Sequence, residues 1–176
     1  MLTQESPVDV MKTLPVSAIV RRLLVGIVLL ITVWGVAVPS VYAESYDRQS
    51  LRYAEFAHRD FRGDDFTRAD LANADLQGTD FRGARLFDTT LSQANMTGAN
   101  MTGATLDGAR FIRANLTNAI LEGAYAFDTD FSDAIIEGAD FTDVLLDPKT
   151  NRQLCEVAAG TNPVTGRNTR DTLYCP

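Results

Sequence analysis

The stretch Ala94-Asn95-Met96-Thr97-Gly98-Ala99-Asn100-Met101-Thr102-Gly103-Ala104-Thr105-Leu106-Asp107-Gly108 decides the fold. Three times it runs small, polar, large apolar, polar, glycine. Counting in fives in both directions carries the register from Leu51 to Leu146 without a slip. Nineteen of these twenty central positions are large and apolar, and Ala126 is the exception. Alanine stands two residues before the centre thirteen times, and glycine two residues after it eight times, out of twelve glycines in the chain.

A period of five suits neither an amphipathic helix, which needs apolar residues at i, i+3, i+4 and i+7, nor a strand, which alternates. It suits a chain that turns a corner every five residues, with the central residue and the small one before it pointing inward. Four corners make one turn of about twenty residues, so twenty units stack into about five coils, roughly 24 Å tall at the usual strand spacing. Residues twenty apart then form inner columns: Phe61, Phe81, Met101, Leu121, Phe141; Leu51, Leu71, Leu91, Phe111, Phe131; Phe56, Leu76, Met96, Leu116, Ile136; and Phe66, Leu86, Leu106, Ala126, Leu146. Small residues beside each centre let four large side chains share one layer. Gly, Asn and Asp at the corners tolerate the backbone angles of tight turns.

Units such as Ala69-Asp70-Leu71-Ala72-Asn73 and Ala99-Asn100-Met101-Thr102-Gly103 resemble the pentapeptide-repeat family. That resemblance implies an all-β solenoid, a right-handed quadrilateral β-helix, over residues 49–148. Units around Leu51, Phe56 and Leu146 are degenerate, as terminal units of a solenoid normally are. Residues 44–48 read as a lead-in.

Ahead of the repeats, Lys12, Arg21 and Arg22 precede an uncharged run from Leu23 to Val38, and Val41-Tyr42-Ala43 follows. A positive flank, an apolar stretch and a small residue at the cut site describe a secretory signal peptide over 1–43, cleaved between Ala43 and Glu44. An uncleaved anchor is the alternative, although the apolar run is slightly short for a membrane span. Arg21-Arg22 leaves ordinary and twin-arginine export both open. The only cysteines, Cys155 and Cys175, lie beyond the repeats. In an oxidising compartment they should pair and contribute roughly 3 kcal/mol on the chain-entropy model.

In the tail, Asp147-Pro148 reads as a helix start, N-cap then first position. Residues 149–158 carry Leu154, Val157 and Ala158 on one side, and Gly160 is placed to end the helix. Residues 149–176 therefore read as a short α-helical, disulfide-pinned cap that covers the open end of the solenoid. The tail, with Leu154-Cys155, Asn162-Pro163, Thr165-Gly166-Arg167 and Leu173-Tyr174-Cys175, is similar to that of exported cyanobacterial pentapeptide-repeat proteins and their thylakoid-lumen relatives. The resemblance implies a thylakoid-lumen or periplasmic address.

Residues 44–176 carry 21 acidic and 13 basic side chains, with a single lysine, Lys149. Asp60, Asp65, Asp70, Asp75, Asp80, Asp130 and Asp140 stand just before central positions. Some pentapeptide-repeat relatives imitate DNA and inhibit topoisomerases, so an acidic mimic is one alternative. Export and the interrupting Arg62, Arg68, Arg82, Arg85, Arg110 and Arg113 weigh against it, and favour a solvated face. A calcium module on the column Asp75, Asn95, Asn115 is another alternative, but calcium sites need six or more converging oxygens. His58 is the only histidine and has no partner for a metal set. No nucleophile with a base beside it, no phosphate loop and no cleft are expected, so the chain reads as non-enzymatic and without cofactor or metal. It also reads as a monomer that binds no nucleic acid and, once the signal is removed, no membrane.

The functional lead is an anomaly. Beside the small Ala126, Tyr125 and Phe127 occupy outward slots, and Phe87 holds the slot of Phe127 two coils earlier, with Ile112, Ile120 and Ile135 also outward. Exposed aromatics on a rigid face suggest a partner-binding patch, which makes the chain a rigid scaffold for a protein partner. Otherwise Tyr125 or Phe127 folds inward beside Ala126, or the tail covers them.

Overall fold

The computed structural model describes residues 43–176, so all but the last residue of the segment read as a signal peptide, 1–43, lies outside the described residues. Its frame is a ladder of parallel bridges between residues twenty apart. They run from Ser45 with Asp65 to Ile120 with Asp140. The ladder closes on strand β1 (Tyr125–Ala126), which pairs in parallel with strand β2 (Leu145–Leu146). Within the stack each central residue donates its N–H to a carbonyl in the next coil, as Leu71 does to Thr90 O (2.8 Å) and Met96 to Asn115 O (2.8 Å). The residue before it donates the other way, as Asn95 N does to Ala74 O (3.0 Å). A further bond closes the corners, such as Ala99 N to Met96 O (3.0 Å), except at Asp128.

All twenty corner positions from Arg48 to Asp143 have a positive φ. With a closing i to i+3 bond, a positive φ at the third turn position is what a type II turn requires. Eight are glycine, but Tyr53 (φ 60°), His58 (60°), Arg68 (57°) and Gln93 (60°) adopt the same angle. The expectation that corners select Gly, Asn or Asp is therefore too narrow. The left-handed conformation costs roughly 1–2 kcal/mol per ordinary residue. It is held here because rungs on both sides fix the chain.

The preference for Asp or Asn before each centre also has a cause. Its side-chain oxygen accepts the N–H two residues on, and where that residue is Thr or Ser, its hydroxyl as well. Asn100 Oδ1 accepts Thr102 N (3.0 Å) and Oγ1 (2.7 Å), and Asp130 Oδ1 accepts Ser132 N (2.9 Å) and Oγ (2.6 Å). These side chains build the turns as well as facing water.

Inside, Phe66, Phe81, Phe111, Phe141 and the leucines and methionines between them are fully buried. Each such side chain stabilises the fold by roughly 1.5–3 kcal/mol. Where threonine replaces the inward alanine, its hydroxyl is satisfied: Thr79, Thr89 and Thr129 donate to Phe56 O, Phe66 O and Leu106 O of the coil below. The stack begins inside the segment expected to be a lead-in. Tyr46 holds a central position, its ring 4.5 Å from Phe66 and parallel to it.

After β2, helix α1 (Pro148–Val157) starts at Asp147, whose carboxylate accepts Lys149 N (3.0 Å) and Thr150 N (2.9 Å). It ends at Ala158, which is extended, so Gly160 has a different task from the one expected. A Cβ on Gly160 would stand 2.8 Å from the Gly138 amide nitrogen. Next to that contact, Gly138 N donates to Ala159 O (2.8 Å), a carbonyl that stands where a further coil would supply one. Leu154, Ala158 and Leu173 join the core cluster. Cys155 bonds Cys175 across a Cα–Cα distance of 5.5 Å and ties α1 to the residues after helix α2 (Thr169–Thr172).

Candidate interaction surfaces

The outward positions of one face form two columns. Arg85, Thr105, Tyr125 and Leu145 are joined by successive parallel bridges. Phe87, Asp107 and Phe127 form the column beside them. Tyr125 is 49% exposed, Phe127 48% and Phe87 37%, and Leu145 adds a fourth apolar group at 47%. Phe127 is fixed by its own N–H, which donates to Asp107 Oδ1 (2.9 Å). Two rungs separate Phe87 from Phe127, roughly 10 Å. Ala126 is fully buried beneath them, and neither aromatic folds inward beside it.

The tail lies against other faces. Asn162, fully buried, donates through Nδ2 to Asn118 O (3.1 Å), Ala119 O (3.3 Å) and Gly138 O (2.9 Å). Its Oδ1 accepts Val164 N (2.9 Å) and Thr165 N (3.1 Å). Arg167 pairs with Glu122 (2.9 Å) and lies 3.4 Å from the fully buried carboxylate of Asp140. Burial pushes the Asp140 carboxyl up, but the Thr142 hydroxyl and amide and Arg167 pull it further down, so it lies below its ordinary value. Ile120, flanked by the contacts to Ala119 and Glu122, is buried, whereas Ile135 on another face is exposed. In the sequence Asn162 stands out only as half of the Asn162-Pro163 pair.

Four of the acidic side chains before central positions, Asp60, Asp65, Asp70 and Asp80, are paired from within. Arg62 grips Asp60 (2.7 Å) and reaches Asp80 (3.7 Å), Arg82 grips Asp80 (2.6 Å), Arg85 pairs with Asp65 (3.0 Å) and Arg52 with Asp70 (3.0 Å). Hydrogen bonds from the Arg62 side chain and backbone hold the Asp60 carboxyl at about 2. In the column considered for calcium, Asp75 Oδ1 accepts Asn95 Nδ2 (3.0 Å), while Asn95 Oδ1 and Asn115 Oδ1 accept from Thr97 and Thr117. The Oδ1 atom of each of the three is thus taken up within the ladder. Among the described residues no three His, Cys, Asp or Glu side chains converge as a metal set. A shallow groove of about 280 Å³ between α1 and the last repeats is lined by Phe131, Ser132, Asp133, Thr150, Leu154 and Val157. No helix among the described residues is long and apolar enough to cross a membrane.

A family model of eight pentapeptide repeats matches residues 50–86, 65–103, 84–123 and 109–147, which together span more than half of the chain. The chain belongs to the pentapeptide-repeat family. Among solved structures it is similar to a pentapeptide-repeat protein from the Arabidopsis thaliana thylakoid lumen. The two are 40% identical over 73% of this chain and 90% of that one, with a TM-score of 0.72. A pentapeptide-repeat protein from Nostoc is 31% identical over 60% of this chain and 86% of that one, with a TM-score of 0.52. No curated protein sequence matches. Pentapeptide-repeat proteins are generally structural rather than catalytic, and the rungs and filled core described above are the means by which this one presents rigid faces.

Proposed function

We propose that the chain is an exported, non-catalytic, monomeric scaffold of about five coils, capped by α1 and the disulfide-tied tail, that binds a protein partner through the face bearing Phe87, Tyr125, Phe127 and Leu145. The observation that carries this is the exposure of four large apolar side chains on one rigid face, while the tail lies against other faces. Such a cluster is the usual anchor of a protein interface. The likeness to a thylakoid-lumen protein and the apolar leader support export to a lumen or periplasm, with cleavage after Ala43. Internal pairing of the acidic columns speaks against an acidic mimic, and the occupied Asx oxygens against a calcium module.

The test is capture of partners from soluble and membrane extracts of the source compartment by tagged, exported protein, with a Phe87→Ser/Phe127→Ser variant alongside. A partner retained by the wild type and lost by the folded variant supports this face. Equal capture by both, or capture by neither, refutes it.

A further inference from the structure

We propose that cleavage between Ala43 and Glu44 creates an α-ammonium group that pairs with the buried carboxylate of Asp64 and locks the first coil. The inference rests on the export reading above. Glu44 is where the described ladder begins, since Asp65 N donates to Glu44 O (2.9 Å). Its own nitrogen donates to Asp64 Oδ1 at 2.7 Å. Ala43 and Glu44 are both exposed, so the bond between them is open to a peptidase.

Asp64 is the odd residue. It stands at the inward position that alanine fills in thirteen of the twenty units from Leu51 to Leu146, and none of the other nineteen has an acid there. It is 8% exposed, and among the described residues the Glu44 N–H is the only hydrogen bond to its side chain. Burial pushes its carboxyl up, the Glu44 N–H pulls it back, and the carboxylates of Glu44 and Asp60 push it up again. The other charged or titratable groups nearby are Tyr46, raised to about 12 chiefly by burial, and Arg59, whose guanidinium lies 6.0 Å from the centre of the Phe61 ring. A buried carboxylate held by one neutral amide is poorly compensated.

Hydrolysis supplies what is missing. Water adds across the Ala43–Glu44 amide; Ala43 leaves as a carboxylate and Glu44 as an amine. With an ordinary α-amino pKa of about 7.7–8.0, that amine takes up a proton at neutral pH. The nitrogen already at 2.7 Å from Asp64 then becomes a charged donor, and charge-assisted hydrogen bonds are roughly twice as strong as neutral ones. Because pairing raises the folded-state pKa of the ammonium, its stabilisation is complete below the unfolded value and is lost as pH rises through the raised one.

The full-length precursor, expressed in an exporting bacterial host, tests both steps. Intact mass of the exported product gives the first residue, and NMR titration gives the pKa of its terminal amine, with Asp64→Asn prepared in parallel. The expected product starts at Glu44, and its amine titrates about one unit above the ordinary range, a tenfold shift that Asp64→Asn abolishes. A product starting elsewhere overturns the cleavage reading. A product starting at Glu44 whose amine titrates in the ordinary range, or keeps a raised value in Asp64→Asn, overturns the pair and leaves cleavage standing. If Asp64→Asn does not fold, the wild-type amine alone decides.

Discussion

Removing the side chain of Asn162 should free the tail without disturbing the coils. Its amide donates to three carbonyls, those of Asn118, Ala119 and Gly138, and its oxygen accepts the amides of Val164 and Thr165. Two hydrogens serve the three carbonyls, so four bonds' worth of interaction is at stake. At roughly 0.5–1.5 kcal/mol net each, and with water re-entering the opened site, Asn162→Ala should cost about 2–4 kcal/mol. Asn162→Asp should cost more, since it keeps the loop acceptor but turns a carboxylate toward three carbonyl oxygens. The Cys155–Cys175 bond brackets this segment and keeps the opening local. Hydrogen-exchange mass spectrometry reads this directly. Peptides covering 159–168 should exchange roughly 30- to 1,000-fold faster, while those covering 70–120 stay unchanged. Exchange within threefold of wild type would refute the bond accounting. Faster exchange throughout the coils would show that Asn162 supports the stack and not merely the tail.

Two glycine substitutions should separate backbone angle from close approach. Gly103 (φ 65°) has no atom within 4 Å of an added Cβ, so Gly103→Ala should cost only about 1–2 kcal/mol, the left-handed penalty. Gly160→Ala adds a contact of 2.8 Å with backbone and should cost clearly more by thermal denaturation. Acid should act on Asp60, whose folded-state value is depressed to about 2 by Arg62. Its pairing therefore contributes stability above the unfolded carboxylate value of about 3.9, lost as pH falls towards 2. NMR titration of Asp60 in Arg62→Ala should move its midpoint upward, and an unchanged midpoint would contradict the pairing.

The core was readable because burial imposes a spacing, and Leu71, Leu91 and Phe111 recur at that spacing whatever surrounds them. The Asx turns left a fainter trace, an Asp or Asn two residues before Thr or Ser, as in Asn115-Leu116-Thr117. Corners at Arg68 and Gln93 left none, because their conformation is imposed by neighbouring coils and not chosen by the residue. The tail contacts are of the same kind. Asn162 and Gly138 are 24 residues apart, and no periodicity relates them. The outward positions of Phe87, Tyr125 and Phe127 followed from the register, and the same register puts Leu145 one rung beyond Tyr125. Asp64 was visible as a break in the alanine column, but its partner emerged only with Glu44 beside it.

The two lengths built into this chain, five for a side and twenty for a full turn, give insertions an unusual geometry. Adding or deleting twenty residues would preserve the bearing of every face and only change the height. A change of five would also keep each core residue pointing inward and each corner at its left-handed angle. Placed between Ala119 and the tail, it would, however, swing everything downstream by a quarter turn, so that the Asn162 anchor faced a different wall from the one it now grips at Asn118 and Ala119. Such a variant should fold its repeats normally and misplace its tail, which makes the angular position of the tail a trait that evolution can reset in one step without touching the core.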